Sequence, residues 1–244
     1  MLTIGVLVLM HDKQATMTDW RDALGIGVHL RFFHPKSHPL HTPNPQIQPL
    51  NPVQALACDA FIITGAPIDR LPFSEVHYYP EVSQLIKLLA AAQMPVLYSC
   101  WGALAALHTL YGIVKVQLPH KLFGAFPHQK LAATPLLADI TPGFIAPHAR
   151  YTDMDAVTLA EKVTLLATTT AGHPMLAVSH DTHQVFLFAH LEYRRWGLWQ
   201  EYQREKSMPP QPDDPLAGWS WETTRTHFFT NWLAQLTTTR RIAQ

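Results

Sequence analysis

Short apolar runs alternate along this chain with segments whose apolar residues recur at helical spacing. Runs rich in Val, Ile and Leu, four to nine residues long, are typical of strands that are covered on both faces. The predicted strands are residues 2–10, 28–34, 60–64, 94–99, 163–168, 175–179 and 185–189, with further short strands and turns from residue 112 onwards that include 120–124 and 145–151.

Apolar positions three and four residues apart predict helices between these runs. The predicted helices are residues 18–24, with Thr18 or Asp19 near the N-cap, 80–92, the Ala- and Leu-rich segment after Gly102, 197–206 and 223–236. Two segments contain too many prolines for regular structure, namely residues 35–52 and the loop 207–218. The first is predicted to cross the surface in an extended form.

This alternation of strands and helices predicts an α/β protein. We expect a doubly wound, mostly parallel sheet flanked by helices, in one domain that covers residues 1–244. In such a sheet, ligands bind at the carboxyl ends of the strands. Residues that follow a predicted strand are therefore the first candidates for a functional site.

Composition narrows the class of protein. Lys plus Arg and Asp plus Glu each number 18, and no basic run suggests nucleic acid as a partner. No apolar stretch approaches the roughly 18 residues of a membrane span, and the apolar start lacks the features of a signal peptide. Two cysteines suit a reducing compartment, so we expect a cytoplasmic protein. Its 15 histidines are scattered without metal-binding spacing, so no metal site is predicted.

Cys100 stands at the turn between the strand 94–99 and the next helix. The positive end of that helix is expected to lower the pKa of the thiol and favour a nucleophilic thiolate. Gly102 follows at the spacing of a nucleophile elbow, but Tyr98 occupies the place of the preceding glycine. On this pattern alone, a catalytic cysteine and a buried structural one are equally good interpretations.

His190 and Glu192 follow the strand 185–189. In an extended segment, residues two apart point to the same side, so these side chains should share one face. Together with Cys100 they have the order of a Cys-His-Glu triad, which supplies a nucleophile, a general base and a carboxylate that orients the base. The alternative is a histidine bonded to backbone beside a solvated glutamate.

The chain resembles the homoserine O-acyltransferase family, which has the class I glutamine amidotransferase-like (flavodoxin-like) fold, from about Leu7 to Leu236. The motifs that carry the resemblance are Thr64-Gly65-Ala66-Pro67, Cys100-Trp101-Gly102-Ala103, Tyr111-Gly112-Ile113, Lys121-Leu122-x-Gly124, Ala146-Pro147-His148-x-Arg150-Tyr151, His190-x-Glu192-Tyr193, Gln200-Glu201-Tyr202-x-Arg204 and Thr230-Asn231-Trp232-Leu233. The resemblance implies ping-pong acyl transfer from coenzyme A to a hydroxy amino acid, with no bound cofactor.

The resemblance also implies roles for particular residues. Cys100 would carry the acyl group, and His190, oriented by Glu192, would deprotonate the acceptor hydroxyl. The further implied roles are substrate binding by Lys121 and Arg204, an oxyanion hole made by the amides of Trp101 and of the Ala66–Ile68 turn, with Ile68 as the second donor, and a site lysine at Lys13. Arg204 suits a bidentate contact with the acceptor carboxylate.

Two departures from the family pattern bear on the substrates. Asp69 stands where succinyl-transferring members have glycine and acetyl-transferring members have glutamate, so we expect acetyl-CoA as the donor. Ala149 replaces a serine at a position associated with acceptor choice, which favours L-serine over L-homoserine. The partners would be small molecules, with a homodimer left open. A glutaminase or peptidase on the same fold, and a binding protein without activity, remain the rival hypotheses.

Overall fold

A computed structural model describes residues 1–205 and 220–242. The strands are β1 (Leu2–Leu7), β2 (Val28–His34), β3 (Ile47–Pro49), β4 (Ala60–Ile63), β5 (Val96–Ser99), β6 (Lys115–Lys130), β7 (Ile145–Met154), β8 (Thr164–Thr169), β9 (Pro174–Val178) and β10 (Gln184–Leu187). The helices are α1 (Lys13–Leu24), α2 (Pro52–Leu56), α3 (Tyr79–Ala91), α4 (Trp101–Tyr111), α5 (Ala156–Lys162), α6 (Gly197–Arg204) and α7 (Glu222–Ile242). The predicted loop 207–218 lies outside the described residues.

The strands of the described part of the chain form one ten-stranded sheet in the order β3-β2-β1-β4-β5-β10-β9-β8-β6-β7. From β3 to β10 all neighbours are parallel, and from β10 to β7 they are antiparallel. The predicted doubly wound, mostly parallel sheet is therefore confirmed. Because β1, β4, β5 and β10 are parallel, the segments that follow them meet at one edge.

Each face of the sheet is covered by a separate hydrophobic cluster. On one face, α3 and α4 pack over β4 and β5, with Trp101 fully buried among them. On the other face, α1 and α7 meet, and Trp20 contacts Phe229 edge-on at 5.8 Å between ring centroids. Burial on both faces explains why the central strands are continuous apolar runs rather than alternating ones.

The start of α1 differs from the prediction. Its N-cap is Asp12, whose carboxylate accepts a hydrogen bond from Ala15 N at 2.8 Å, so the helix begins at Lys13. The prediction of a cap at Thr18 or Asp19 is wrong, because both residues lie inside the helix. The Thr18 hydroxyl donates to Gln14 O one turn earlier, and Asp19 pairs with Arg194.

The proline-rich segment 35–52 is more regular than predicted. β3 pairs with β2, and Pro49 is accommodated because β3 is the edge strand of the sheet. Pro52 begins α2, where a missing N–H costs nothing, and the Asn51 side chain caps the helix by accepting from Val53 N at 3.0 Å.

The antiparallel half of the sheet contains β6, a strand of 16 residues where the sequence predicts several short ones. Its pairing with β7 shifts between Gln117 and Leu122, which breaks the alternation of apolar and polar residues. The predicted strands 120–124 and 145–151 lie within β6 and β7. These two strands bring Lys121, Ala149 and Tyr151 beside the carboxyl edge of the parallel half.

Candidate active site

Cys100 occupies a sharp turn between β5 and α4, as predicted. Its backbone has φ of +48°, a region that side chains other than glycine adopt at a cost, often at functional sites. The turn also requires Gly102, because a Cβ there would lie 2.4 Å from Ile63 O. The sequence therefore lets α4 approach the end of β4 closely, with Cys100 at the positive end of the helix.

Three segments meet around this turn. Cys100 N donates to Leu187 O at 2.8 Å, which ties the turn to the end of β10. From the other side comes Gly65, where an added Cβ would lie 3.3 Å from Cys100 Cβ and 3.4 Å from His190 Cε1. The loops after β4, β5 and β10 therefore place Gly65, Cys100 and His190 in contact distance of one another.

The structure brings His190 and Glu192 together. His190 Nδ1 lies 2.7 Å from Glu192 Oε1, and both side chains are buried. The segment is a turn rather than the extended strand end that we predict, since β10 ends at Leu187 and Tyr193 N donates back to His190 O at 3.0 Å. The turn still brings the two side chains together. Because Nδ1 of the imidazole is bonded to Glu192, its Nε2 is the atom that can interact with Cys100.

Electrostatics favour a charged His190 when Cys100 is ionised. Burial alone would lower the pKa of His190, but a thiolate at Cys100 and the carboxylate of Glu192 together raise that pKa well above its usual range. Each of the two anions stabilises the buried imidazolium, so the loss of either one lowers the pKa of His190. The arrangement therefore suits a thiolate–imidazolium pair that changes when the thiolate is consumed.

A catalytic cavity of about 320 Å³ opens over Cys100 and His190. It is lined by most of the predicted substrate residues, namely Ile68, Asp69, Lys121, Ala149 and Arg204, and by Glu201 and Glu205. A second cavity of about 380 Å³ reaches His190 from the other side, and its wall is rich in carboxylates. We call it the acidic cavity, after Asp12, Asp19, Glu192 and Glu201.

The cations of the catalytic cavity are held by glutamates. Lys121 Nζ lies 3.3 Å from Glu201 Oε1 and 2.9 Å from Glu205 Oε2, and the lysine is almost fully buried. Arg204 Nη2 lies 2.5 Å from Glu201 Oε1. Two cations and two anions therefore face the catalytic cavity.

Asp69 and Ala149 are brought to the same cavity by different contacts. The Asp69 carboxylate accepts from Tyr151 N at 2.6 Å and from the Thr152 hydroxyl at 3.3 Å, so it joins the loop after β4 to β7. Ala149 lies on β7 two residues before Tyr151 and faces the cavity with its methyl group. Asp69 thus lines the cavity and also holds the loop after β4 against β7.

The two predicted oxyanion donors differ in availability. Trp101 is the first residue of α4, where helix geometry leaves the N–H without an intrahelical acceptor. Ile68 N, in contrast, donates to Ala66 O at 2.9 Å. Since Pro67 has no N–H, the remaining amide of that turn is that of Ala66.

The architecture occurs in known proteins. The chain superposes on a glutamine amidotransferase from Thermotoga maritima with a TM-score of 0.69 at 14% identity, over 96% of this chain and 97% of that one. A glutamine amido transferase from Methylobacillus flagellatus gives a TM-score of 0.61 at 14% identity, over 96% and 94%. Likeness at this level of identity shows the fold, which agrees with the class predicted from the sequence.

The sequence itself matches the homoserine O-succinyltransferase family over residues 1–241. The chain belongs to this family. This chain is 38% identical to a serine O-acetyltransferase of Lacticaseibacillus casei, and the match covers 95% of this chain and 94% of the relative. A homoserine O-acetyltransferase of Bacillus licheniformis is 32% identical, over 95% and 84%. The predicted resemblance is thus confirmed, and the chain is an O-acyltransferase for a hydroxy amino acid.

Lys13, which the family resemblance implies to be a site lysine, lies outside the lining of the catalytic cavity. Its Nζ donates to Met10 O at 2.6 Å and to Val8 O at 3.2 Å, and it does not line the catalytic cavity. Burial lowers the pKa of Lys13 to about 8. In this structure the side chain therefore supports the loop after β1, whose Met10 does reach the cavity.

Sequence reasoning missed several neighbours of the predicted residues. Ser99 Oγ donates to Glu192 Oε2 at 3.3 Å, and the Tyr193 ring stacks on the His190 ring with centroids 4.4 Å apart. Glu201 and Glu205 pair with Lys121, as described above. The sequence does contain a signal for the glutamates of this group. Glu201, Arg204 and Glu205 are three and four residues apart in a predicted helix, so the two glutamates share one helix face with the predicted substrate residue Arg204.

The part of the chain that the structure describes contains neither a metal-binding cluster nor a membrane-spanning helix. Within residues 1–205 and 220–242, no group of three or more His, Cys, Asp or Glu side chains is arranged to hold a metal ion. None of the helices in this part of the chain combines the length and apolar character needed to cross a bilayer.

Proposed function

We propose that this acyltransferase transfers an acetyl group from acetyl-CoA to L-serine through an acetyl-Cys100 intermediate. The observation that carries the proposal is that His190, which is hydrogen-bonded to Glu192, also interacts with Cys100 in the wall of the catalytic cavity. L-Serine is supported by Ala149 and by the 38% identity with a serine O-acetyltransferase. L-Homoserine is the second candidate, since a relative named for it is 32% identical.

In the first half-reaction, the Cys100 thiolate attacks the thioester carbonyl of acetyl-CoA. The amides of Trp101 and Ala66 would hold the oxyanion, a type of contact worth roughly 3 kcal/mol each. The carbon–sulfur bond to coenzyme A then breaks, and the departing thiolate takes the proton of the His190 imidazolium. This step leaves acetyl-Cys100 and a neutral imidazole.

In the second half-reaction, His190 acts as a base. Acetylation removes the negative charge of Cys100, which is one of the groups that raise the pKa of His190. The imidazole can therefore stay neutral, take the proton of the acceptor hydroxyl and let its oxygen attack the thioester. Collapse releases the O-acetyl amino acid and restores the thiolate, and the proton taken from the hydroxyl stays on His190.

This cycle predicts that the pKa of His190 falls when Cys100 is blocked. Alkylation of Cys100 with iodoacetamide mimics the neutral sulfur of the acyl-enzyme, so only Glu192 remains to stabilise the imidazolium against burial. NMR titration of the His190 ring before and after alkylation measures the shift. A pKa that is unchanged by alkylation would contradict the proposed exchange of roles.

The acceptor would be held by its zwitterionic part. Arg204 and Lys121 suit the carboxylate, while Glu201 and Glu205, which already pair with these cations, suit the ammonium group. Serine and homoserine present the same two charged groups and differ by one methylene in the reach of the hydroxyl. A methylene is worth only about 1–3 kcal/mol of discrimination, so one side chain can decide the preference.

We predict that Ala149→Ser shifts the preference towards L-homoserine. The new hydroxyl adds a polar contact worth about 1 kcal/mol, so the ratio of kcat/KM for L-serine to that for L-homoserine should fall about 3- to 10-fold. The measurement is kcat/KM for both acceptors at fixed acetyl-CoA.

The control for this variant is Ala125→Ser, a half-buried alanine on β6 outside the lining of the cavity. It should leave the ratio unchanged. A wild-type enzyme that clearly prefers L-homoserine would overturn the serine assignment itself.

We predict that Asp69→Asn relaxes the preference for acetyl-CoA over succinyl-CoA. The asparagine oxygen can still accept from Tyr151 N, so the loop stays fastened while the charge that repels a succinate is lost. The relative rate with succinyl-CoA should rise about tenfold. The exposed Asp139→Asn serves as the control, and equal use of both donors by the wild type would remove the argument.

A further inference from the structure

A third cavity, of about 420 Å³, adjoins the catalytic cavity. The two share Asp69 and Arg70 in their walls, so a long ligand can pass from one to the other over these residues. We call it the cationic cavity, after Arg70 and Lys115. Its wall also contains Phe73, His108 and Gln117.

Neither cation has a carboxylate partner among the described residues. The exposed Arg70 guanidinium lies 5.0 Å from the centre of the Tyr151 ring. Lys115 Nζ donates to the backbone oxygens of Asp69, at 2.7 Å, and of Leu71. Lys121 and Arg204 nearby are neutralised by glutamates, so the positive charge of this region is concentrated in the cationic cavity.

We propose that Arg70 and Lys115 bind a phosphate group of the acyl-CoA donor in the cationic cavity. The donor's identity rests on the proposed function. Coenzyme A carries its reactive sulfur at one end of a long arm and its phosphates at the other. Arg70 lies in the wall of both cavities and Lys115 in that of the cationic cavity. A guanidinium and an ammonium both bind phosphate oxygens by charge-assisted hydrogen bonds.

The opposite side of the site suits phosphates less well. The acidic cavity is lined by four carboxylates, Asp12, Asp19, Glu192 and Glu201, which outnumber its one arginine, Arg204, and Arg204 is already paired with Glu201. A neighbouring cavity shares His11 and Asp12 with it and is also lined by Lys13, His38 and His41. Burial, followed by neighbouring cationic groups, lowers the pKa values of His11 and His38, which disfavours the charged form of both rings.

Direct binding of adenosine 3′,5′-bisphosphate tests the site without any turnover. Calorimetric titration of wild type and Arg70→Gln should give a Kd about tenfold higher for the variant. Lys87→Gln, which removes an exposed cation on α3 away from these cavities, should bind like wild type. Equal affinity of Arg70→Gln and wild type, or no binding by wild type, would overturn the proposal.

Kinetics with two donors then separates this site from the chemistry. S-Acetyl-N-acetylcysteamine has the acetyl thioester but no phosphate, so Arg70→Gln should raise KM about tenfold for acetyl-CoA only. An equal rise for both donors would mean that Arg70 acts on the loop, and would overturn the phosphate assignment. If wild type binds the nucleotide through Arg70 but uses neither thioester, the proposed function fails while this site stands.

Discussion

Replacement of Cys100 with alanine is expected to reduce acyl transfer by at least about 10,000-fold, the scale on which removal of a covalent nucleophile acts. The thiol is the group of the catalytic cavity that can form a covalent acyl intermediate next to His190. Mass spectrometry of wild type mixed with acetyl-CoA alone should show one added acetyl group. The variant should show none, although its fold is preserved because the alanine is smaller than the cysteine.

Cys58 provides the matched control, since it is the other cysteine of the chain and is also buried. Its Sγ lies 3.5 Å from Gln54 O, and burial raises the pKa of its thiol, so it is a poor nucleophile. Cys58→Ala should still accept one acetyl group at Cys100. Wild type that stays unmodified, or an acetyl group found on Cys58, would contradict the covalent route.

Much of the fold could be predicted because the signal lies within single segments. The apolar runs that became β4 and β5 are buried on both faces, and the predicted bounds of β2 agree with the structure. Helix starts were harder, since Asp12 and Asn51 act through one side-chain hydrogen bond each. The order of the strands depends on contacts between distant segments, for which periodicity carries no signal.

The features of the site likewise divide into those that the sequence predicts and those that it does not. The proximity of Cys100, His190 and Glu192 could be predicted because they follow strands, and parallel strands bring such residues to one edge. Local geometry that depends on hydrogen bonds within a turn, such as the bond from Ile68 N to Ala66 O, could not be predicted from the sequence. The ion pairs of Lys121 with Glu201 and Glu205 join β6 to α6 across 80 residues or more and could not be read from either segment alone.

Replacement of His190 with glutamine is expected to reduce turnover at pH 7 by about 1,000-fold or more. Glutamine keeps a polar side chain of similar reach but accepts no proton, so both half-reactions lose their acid and base. The loss of activity should respond differently to pH in the two half-reactions. Thiolate formation can be restored by alkali, whereas deprotonation of the acceptor hydroxyl cannot, because a serine hydroxyl is a far weaker acid than a thiol.

His190→Gln at about pH 9.5, above the ordinary thiol pKa of about 8.5, should therefore still form acetyl-Cys100 from acetyl-CoA but release little product. Rapid-quench mass spectrometry measures the acetyl-enzyme, and the product assay measures its transfer. His29→Gln, which alters an exposed histidine on β2, should behave like wild type in both assays. Normal turnover by His190→Gln would exclude this residue as the base. Failure to form acetyl-Cys100 even in alkali would mean that His190 does more than ionise the thiol, since the thiolate would then be present and still unreactive.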